Sequence, residues 1–73
     1  MAHERIQVDP TIMFGKPVIR GTRVTVEKVL RALAAGQTPE QIVAEHPRLR
    51  FDDVLAAEAF AADYLANDEV LFG

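Results

Sequence analysis

The stretch from Gly36 to Val54 constrains the fold of this chain more than any other part of the sequence. Thr38 is a strong N-cap residue, Pro39 suits the first helical position because it lacks an N–H group, and Gln41 can complete a capping box. This combination predicts that a short helix begins at Pro39. The start of this helix at Pro39 also limits where the preceding and following helices can lie.

The same stretch predicts where that short helix ends and how the next helix begins. Pro47 disfavours helical geometry at His46, and Leu49 can fill the corner before the next helix. Ile42 and Val43 give the short helix its apolar side. Helices joined in this way are typical of a helix-turn-helix, a unit that binds nucleic acid in some proteins and is a compact scaffold in others.

An arm with β-structure is expected in residues 1–25, before the helices. Polar and apolar residues alternate from Arg5 to Val8, as they do in a half-buried strand, and the alternation ends at Asp9-Pro10. β-branched residues and two glycines over positions 15–25 predict a second short strand, with a tight turn near Gly21.

The first helix is expected between Thr25 as its N-cap and Gly36 as its C-terminal stop. Its apolar residues recur at helical spacing on one face, and they are Val26, Val29, Leu30 and Leu33. The three-helix unit therefore spans residues 26–66. The predicted fold class is mostly α, a helix-turn-helix domain preceded by a short β-containing arm.

The third helix is expected from about Phe51 to about Ala66, with a tail over residues 67–73. Asp52 and Asp53 lie favourably against its N-terminal dipole. One broad stripe is expected to fill the core, and it consists of Phe51, Val54, Leu55, Ala62 and Leu65. Phe60 and Tyr64 project from the other side and are expected to face a partner. Glu58 falls within the stripe, where its burial would be costly.

Length and composition limit the class of protein. A chain of 73 residues forms one domain over its full length. Because a chain of this size buries only about 60% of its unfolded surface, a homodimer or higher oligomer is expected. The absence of cysteine excludes disulfides and cysteine-based zinc sites. With no leader-like segment and no long apolar run, we expect a soluble cytoplasmic protein that does not span a membrane.

The net charge of −3 conceals an uneven distribution of charge along the chain. Residues 1–31 are rich in Lys and Arg, whereas residues 51–73 carry acids and neither Lys nor Arg. Because Asp52 and Asp53 stand where a recognition helix carries base-reading side chains, groove reading by the third helix is not expected. The candidate nucleic-acid-binding residues are Lys16, Arg20, Arg23, Arg48 and Arg50. The alternative for Arg20 and Arg23 is a bracing role, in ion pairs with Asp52 or Glu58.

A longer series of motifs occurs in order along the chain: Gly15-Lys-Pro-Val-Ile-Arg-Gly-Thr-Arg-Val, Ala35-Gly36, Thr38-Pro39-Glu40-Gln41-Ile42, His46-Pro47 and Leu49. In these motifs, from about Ile6 to about Tyr64, the chain resembles the bacterial domain-of-unknown-function 433 family. The resemblance implies a homeodomain-like three-helix fold. It also implies an antitoxin-like role beside a PIN-like ribonuclease toxin, together with binding of operator DNA to repress its own promoter.

In the antitoxin interpretation, the acidic third helix and the tail bind the ribonuclease. Such an enzyme presents metal-binding carboxylates in a basic groove, so an inhibitor can mimic the charge of RNA or insert an arginine among the acids. Arg20 and Arg23 are candidates for the insertion, and Asp68 and Glu69 add to the acidic surface. The candidate partner-binding residues are Asp52, Asp53, Phe60, Asp63, Tyr64, Leu71 and Phe72.

The sequence contains no recognisable catalytic group of residues. His3 lies near the terminus, and His46 precedes a proline at a helix end, where a helix-ending role is favoured. The glycines at positions 15 and 21 lack the spacing of a phosphate-binding loop. We therefore expect no enzyme activity, no cofactor and no metal. An antitoxin-like protein and a DNA-binding transcriptional regulator without a toxin partner are the two functions left open.

Overall fold

The computed structural model describes residues 3–66, which form a small antiparallel sheet followed by three helices. A short 3₁₀ turn, Met13–Gly15, lies between the two strands. The strands are β1 (Ile6–Gln7) and β2 (Val18–Ile19), and the helices are α1 (Val26–Ala34), α2 (Pro39–Glu45) and α3 (Phe51–Ala66). The expected mostly helical domain with a β-containing arm is confirmed.

The arm folds back on itself, so that its two predicted strands pair with each other. Ile6 pairs with Ile19 and Gln7 pairs with Val18 in an antiparallel register. Gly21 turns the chain with a φ of +80°, a left-handed conformation that glycine adopts without the strain that a Cβ atom would cause. The two predicted strands and the turn near Gly21 are therefore confirmed.

Side-chain caps set the beginnings of α1 and α2. Thr25 Oγ1 accepts a hydrogen bond from the Lys28 N–H at 3.0 Å at the start of α1. Thr38 Oγ1 accepts one from the Gln41 N–H at 3.1 Å, and Gln41 Oε1 accepts one from the Thr38 N–H at 2.8 Å. These reciprocal bonds form the predicted capping box, and each satisfies an N–H that the helix itself leaves unpaired.

The C-terminal ends of α1 and α2 also lie where the sequence predicts them. Gly36 comes just after α1 with a φ of +97°, and its N–H donates to the Leu33 carbonyl at 3.0 Å. His46 is the C-cap of α2, and its N–H donates to the Ile42 carbonyl at 3.0 Å. The predicted glycine stop and the helix-ending role of His46 are confirmed.

The core gathers apolar side chains from both strands, all three helices and the connection before α3. Leu49 in that connection is buried, as its predicted corner position requires. Leu30 and Leu33 of α1 are partly buried against the same cluster. The buried members are Ile6, Ile19, Val26, Val29, Ile42, Leu49, Val54 and Ala57.

The predicted orientation of α3 is wrong, although its predicted start at Phe51 is confirmed. Of the stripe expected in the core, only Val54 is buried, and the other four residues are exposed: Phe51, Leu55, Ala62 and Leu65. The buried face instead carries Asp53 and Ala57, and Phe60 packs against the core beside them. Glu58 is exposed, so the expected cost of burying its carboxylate does not arise.

Two contacts explain this orientation of α3. Ala57 has no exposed surface, and its small side chain allows α3 to approach α1 and α2 closely. Asp53 is held by Arg5 at the start of β1, which directs that side of the helix inward. Neither contact can be deduced from helical spacing, because the residues that meet are far apart in the sequence.

No helix within residues 3–66 combines the length and the apolar character needed to cross a membrane. The tail residues proposed to contact a partner, Leu71 and Phe72, lie outside the described residues, as do Asp68 and Glu69.

Candidate partner-binding groove and basic patch

An open apolar groove runs between α1 and the second half of α3. It has a volume of about 570 Å³. Tyr64, at the edge of this groove, is 63% exposed, and its ring lies 6.3 Å from that of Phe60. The apolar lining consists of Pro17, Val26, Leu30, Ala34, Phe60, Ala61, Tyr64 and Leu65. An exposed apolar concavity of this kind fits the apolar side of another polypeptide segment.

Three charged residues border this groove. Lys16 Nζ lies 3.2 Å from Glu27 Oε1, and Arg31 Nε lies 3.0 Å from Glu27 Oε2. Hydrogen bonds from Arg31 and then Lys16 lower the pKa of the Glu27 carboxyl below its usual range, so the acid remains ionised. Two cations and one anion leave an excess positive charge on the rim, which favours an acidic residue in whatever binds there.

Asp53, in the first turn of α3, is buried and has hydrogen-bond partners for both carboxylate oxygens. Its Oδ2 accepts a hydrogen bond from the Arg50 N–H at 2.8 Å, and its Oδ1 accepts one from Arg5 Nη1 at 3.0 Å. Only 6% of the residue is exposed. Asp52 is exposed and lies 3.6 Å from Arg5 Nη2. Asp53 therefore fastens the arm to α3, whereas Asp52 remains at the surface.

Asp63, the third described acid of the predicted partner surface, is bound to the arm. Its Oδ2 lies 2.7 Å from His3 Nε2. The His3 ring also meets the Phe60 ring edge to face, with centroids 5.3 Å apart. Phe60 thus has contacts within the fold, and Tyr64 is the more accessible aromatic residue of the predicted pair.

The structure separates the predicted nucleic-acid-binding residues. Arg23 and Arg48 line one polar depression of about 520 Å³ beside the turn at Gly21, and we call these two arginines the basic patch. Arg48 Nη1 lies 3.5 Å from the Gly21 carbonyl oxygen. Lys16 lies instead on the rim of the apolar groove, and Arg50 is exposed immediately before α3.

Arg20 braces the arm through backbone groups. Its Nε donates to the Glu4 carbonyl at 2.7 Å and its Nη2 donates to the Ile6 carbonyl at 3.3 Å. The ion pair with the start of α3, considered as an alternative for Arg20 and Arg23, is made by Arg5. Arg20 therefore braces the arm without the expected ion pair, which Arg5 makes because it directly precedes β1, the strand that packs against α3.

Two residues with prominent positions were missed by the sequence reasoning. Arg5 lies in the basic N-terminal segment and is not among the predicted site residues, yet its ion pair with Asp53 anchors α3. Phe14 is 96% exposed and adopts a left-handed backbone conformation with a φ of 59°. The position of Phe14 directly before Gly15-Lys16 could have indicated its exposure, because a large apolar side chain in a glycine-containing turn has few neighbours to cover it.

The side chains of residues 3–66 do not form a recognisable metal-binding arrangement. No group of three or more His, Asp or Glu residues there is placed to hold a metal ion. The apolar groove and the basic patch are candidate sites in this part of the chain.

A relative and a solved structure show what this chain is similar to. It is 36% identical over 73 residues to the uncharacterized protein y4eO of Sinorhizobium fredii, a match that covers 99% of this chain and 33% of that protein. The chain thus spans about a third of the length of this relative. The crystal structure of a DUF433 member from Anabaena variabilis superposes with a TM-score of 0.80 at 25% identity, covering 89% of this chain and 64% of that one.

The family model described as "Protein of unknown function (DUF433)" matches residues 6–61. This range runs from the first residue of β1 into the second half of α3 and includes Lys16 and Phe60 at the apolar groove. On this match, and with the structural likeness to the Anabaena variabilis protein, the chain belongs to the DUF433 family.

Proposed function

We propose that this protein is the antitoxin-like partner of a PIN-like ribonuclease and binds that enzyme through the groove between α1 and α3. The observation that supports this choice is the groove itself, an exposed apolar concavity with Tyr64 and Leu65 at its edge. The class of partner is taken from the family resemblance, and the binding surface is taken from the geometry. The proposal does not depend on whether the chain forms a homo-oligomer.

The groove suggests the chemistry of the segment that it binds. Its lining is almost entirely apolar, so the ligand is expected to present aliphatic or aromatic side chains on one side. The excess positive charge of the rim favours an acidic residue placed next to those side chains, close to Lys16 or Arg31. An amphipathic helix of the ribonuclease carrying such an acid meets both requirements.

The acidic residues are less suited to carry the binding energy. Asp53 is buried against Arg5, and one oxygen of Asp63 is hydrogen-bonded to His3, so both carboxylates already have partners within the fold. Truncating an aromatic side chain that is buried in an interface commonly costs more binding energy than removing an exposed charge at the interface rim. We therefore assign the anchor role to Tyr64 and a secondary role to exposed Asp52.

Co-expression with the product of the neighbouring gene tests the proposal. A tagged wild-type chain is expected to co-purify with that product and to suppress its RNA cleavage. The variants Ala34→Glu and Tyr64→Glu change exposed groove residues and are expected to lose both effects. The matched control is Leu55→Glu, an identical charge insertion on another face of α3. Failure of the wild type to co-purify, with RNA cleavage unchanged on mixing, overturns the proposal.

A DNA-binding transcriptional regulator is the second candidate, and the basic patch is the observation that favours it. Arg23 and Arg48 line the same depression, and neither is in an ion pair among the described residues. In this alternative, a homeodomain-like helix-turn-helix would contact phosphates through the patch, because α3 begins with Asp52 and Asp53. An autorepressing antitoxin would combine both functions in one complex.

A fluorescence titration with DNA from upstream of the gene, at two salt concentrations, tests this alternative. Salt-sensitive binding that is lost in a double variant, Arg23→Ala with Arg48→Ala, supports it, since phosphate contacts release counterions. The control is Lys28→Ala, which removes an exposed cation that does not line the depression. Absence of binding at low salt contradicts it.

A further inference from the structure

The end of α3 borders the apolar groove, and the tail, residues 67–73, continues the chain from this point. Tyr64 and Leu65 both line the groove, and Leu65 directly precedes Ala66, the last described residue of α3. In the tail, two acids are followed directly by three apolar residues. The tail consists of Asn67, Asp68, Glu69, Val70, Leu71, Phe72 and Gly73. It therefore combines apolar side chains with adjacent acids, the chemistry that the groove and its rim favour.

We infer that the tail folds back and covers the groove of its own chain when no other partner is bound. The three apolar residues of the tail lie against the apolar lining, and its two acids lie near the cations of the rim. A partner that binds in the groove must then displace the tail. This inference goes beyond the proposed function, because it depends on the groove and on the sequence of the tail and not on a ribonuclease.

The charges of the rim are complementary to those of the tail. Lys16 and Arg31 both contact Glu27, whose single negative charge offsets only one of the two cations. The side chains of Lys16 and Arg31 remain 57% and 79% exposed, so each can approach a further carboxylate. Because ion pairs at such exposed positions contribute little energy, Asp68 and Glu69 orient the tail, and its apolar residues provide most of the binding.

The C-terminal end of α3 disfavours a straight continuation of the chain along the helix axis. The last turn of α3 contains no basic residue, so nothing in that turn offsets the negative end of the helix dipole. Asp68 and Glu69 would lie close to this negative end if the tail continued straight. Asn67 follows Ala66 directly, and asparagine readily adopts the left-handed conformation that reverses a chain after a helix. A reversal there carries both acids away from the helix end.

The length and position of the tail favour the groove of its own chain over that of a second copy. An extended chain spans about 3.3 Å per residue, so Leu71 can lie up to about 16 Å from Ala66. The groove, at about 570 Å³, has room for several apolar side chains, because sites of about 300–1,000 Å³ hold drug-sized ligands. A segment tethered this closely has an effective concentration of about 1 mM, which exceeds the concentration of a second copy in dilute solution.

Quenching of tyrosine fluorescence by acrylamide tests whether the groove is covered. Tyr64 is the single tyrosine of the chain, which contains no tryptophan, so the intrinsic fluorescence reports on the edge of the groove. The double variant Leu71→Ser with Phe72→Ser is expected to raise the quenching constant at least about twofold, since acrylamide reaches the covered ring only in the open fraction. The matched control is Leu55→Ser, which removes an exposed leucine that does not line the groove and is expected to leave the constant unchanged.

The dependence on protein concentration identifies the chain that supplies the tail. Because the tail of the same chain closes the groove, the quenching constant of the wild type is expected to be the same from about 5 μM to about 500 μM. Protection of Tyr64 that increases with concentration would mean that a second copy covers the groove. Circular dichroism verifies that each variant is folded.

Cysteine cross-linking tests where the tail lies without changing the rest of its apolar residues, and the natural absence of cysteine removes any background. Ala34→Cys, on an exposed residue of the groove lining, is combined with Leu71→Cys and oxidised with oxidised glutathione. An intramolecular disulfide is expected, detected as a monomer that has lost two hydrogens. In the control, Leu71→Cys is combined with Ala59→Cys, an exposed position that does not line the groove, and oxidation is expected to be at least about 10-fold slower.

Three results would overturn the inference. They are a quenching constant of Tyr64 that the two serine substitutions in the tail leave unchanged, protection that increases with protein concentration, and equal rates of disulfide formation at Ala34→Cys and Ala59→Cys. None of these measurements includes the ribonuclease, so their failure is distinct from failure of the proposed function.

Discussion

At the scale of single residues, Asp53 is the side chain that joins the arm to the helices. It accepts one hydrogen bond from the Arg50 N–H, which α3 itself leaves unpaired, and one from Arg5 on the arm. A carboxylate is the suitable group here because each of its oxygens accepts from one donor. The Arg5 side chain remains 46% exposed, so solvent screens part of the ion pair.

Asp53→Ala is expected to lower the free energy of unfolding by about 1–3 kcal/mol, since it removes a helix cap and leaves Arg5 without its buried partner. Asp52→Ala is the matched control, because Asp52 is exposed and is farther from the same arginine, at 3.6 Å. Its effect is expected to stay within about 0.5 kcal/mol. Urea denaturation measures both, and equal losses would contradict the anchor role of Asp53.

Glu27 should make stability depend on pH in the acidic range. Its pKa in the folded chain lies below the ordinary value of 4.5, because Arg31 and Lys16 stabilise the carboxylate. The contribution of the Glu27 carboxylate to the free energy of unfolding is therefore complete above its pKa in the unfolded chain. It is lost as the pH falls through the lower pKa of the folded chain. Thermal unfolding between about pH 6 and about pH 3 is expected to show a smaller decrease in Tm for Glu27→Gln than for the wild type. A larger decrease for the variant would refute this.

At the scale of the helices, the sequence predicted the boundaries better than the orientations. The N-caps at Thr25 and Thr38 and the stop at Gly36 depend on hydrogen bonds between residues close in sequence. The orientation of α1 also followed, because its apolar residues lie on one side. α3 has apolar residues on both sides, so its spacing alone does not define a buried face, and contacts distant in sequence, such as that of Arg5 with Asp53, decide it.

Two alanines of α3 test the observed orientation directly. Ala57→Leu is expected to destabilise the fold by about 1–3 kcal/mol, because Ala57 is fully buried and its site has no room for a larger side chain. Ala59→Leu introduces the same change at an exposed position and is expected to stay within about 0.5 kcal/mol. Chemical denaturation at low protein concentration compares the two. A tolerated Ala57→Leu would mean that this face is not buried.

The candidate sites were only partly predictable from the sequence, because they too depend on contacts between residues that are distant in the sequence. Tyr64 was predicted to face a partner, and it borders the apolar groove. The groove itself was not predicted, because it needs Leu30 and Ala34 of α1 beside the second half of α3. Lys16 was grouped with the arginines by charge, whereas the fold places it on the groove rim, away from Arg23 and Arg48.

At the scale of the whole molecule, α3 presents different surfaces on different sides. One side closes the core, one borders the apolar groove, and a third side with Phe51 and Leu55 remains exposed. In the homodimer that the small size of the chain leads us to expect, two grooves would bind two ribonuclease molecules, and two basic patches would be presented by one symmetric particle.

We propose that the groove binds and inhibits a ribonuclease, and a titration of RNA cleavage measures that inhibition. The neighbouring gene's product is assayed with increasing amounts of wild type, Tyr64→Glu or Leu55→Glu. We predict complete inhibition near equimolar wild type, similar inhibition by Leu55→Glu, and at least about 30-fold weaker inhibition by Tyr64→Glu, since losing an aromatic anchor costs about 2 kcal/mol. Equal inhibition by all three, or none by the wild type, would contradict the claim.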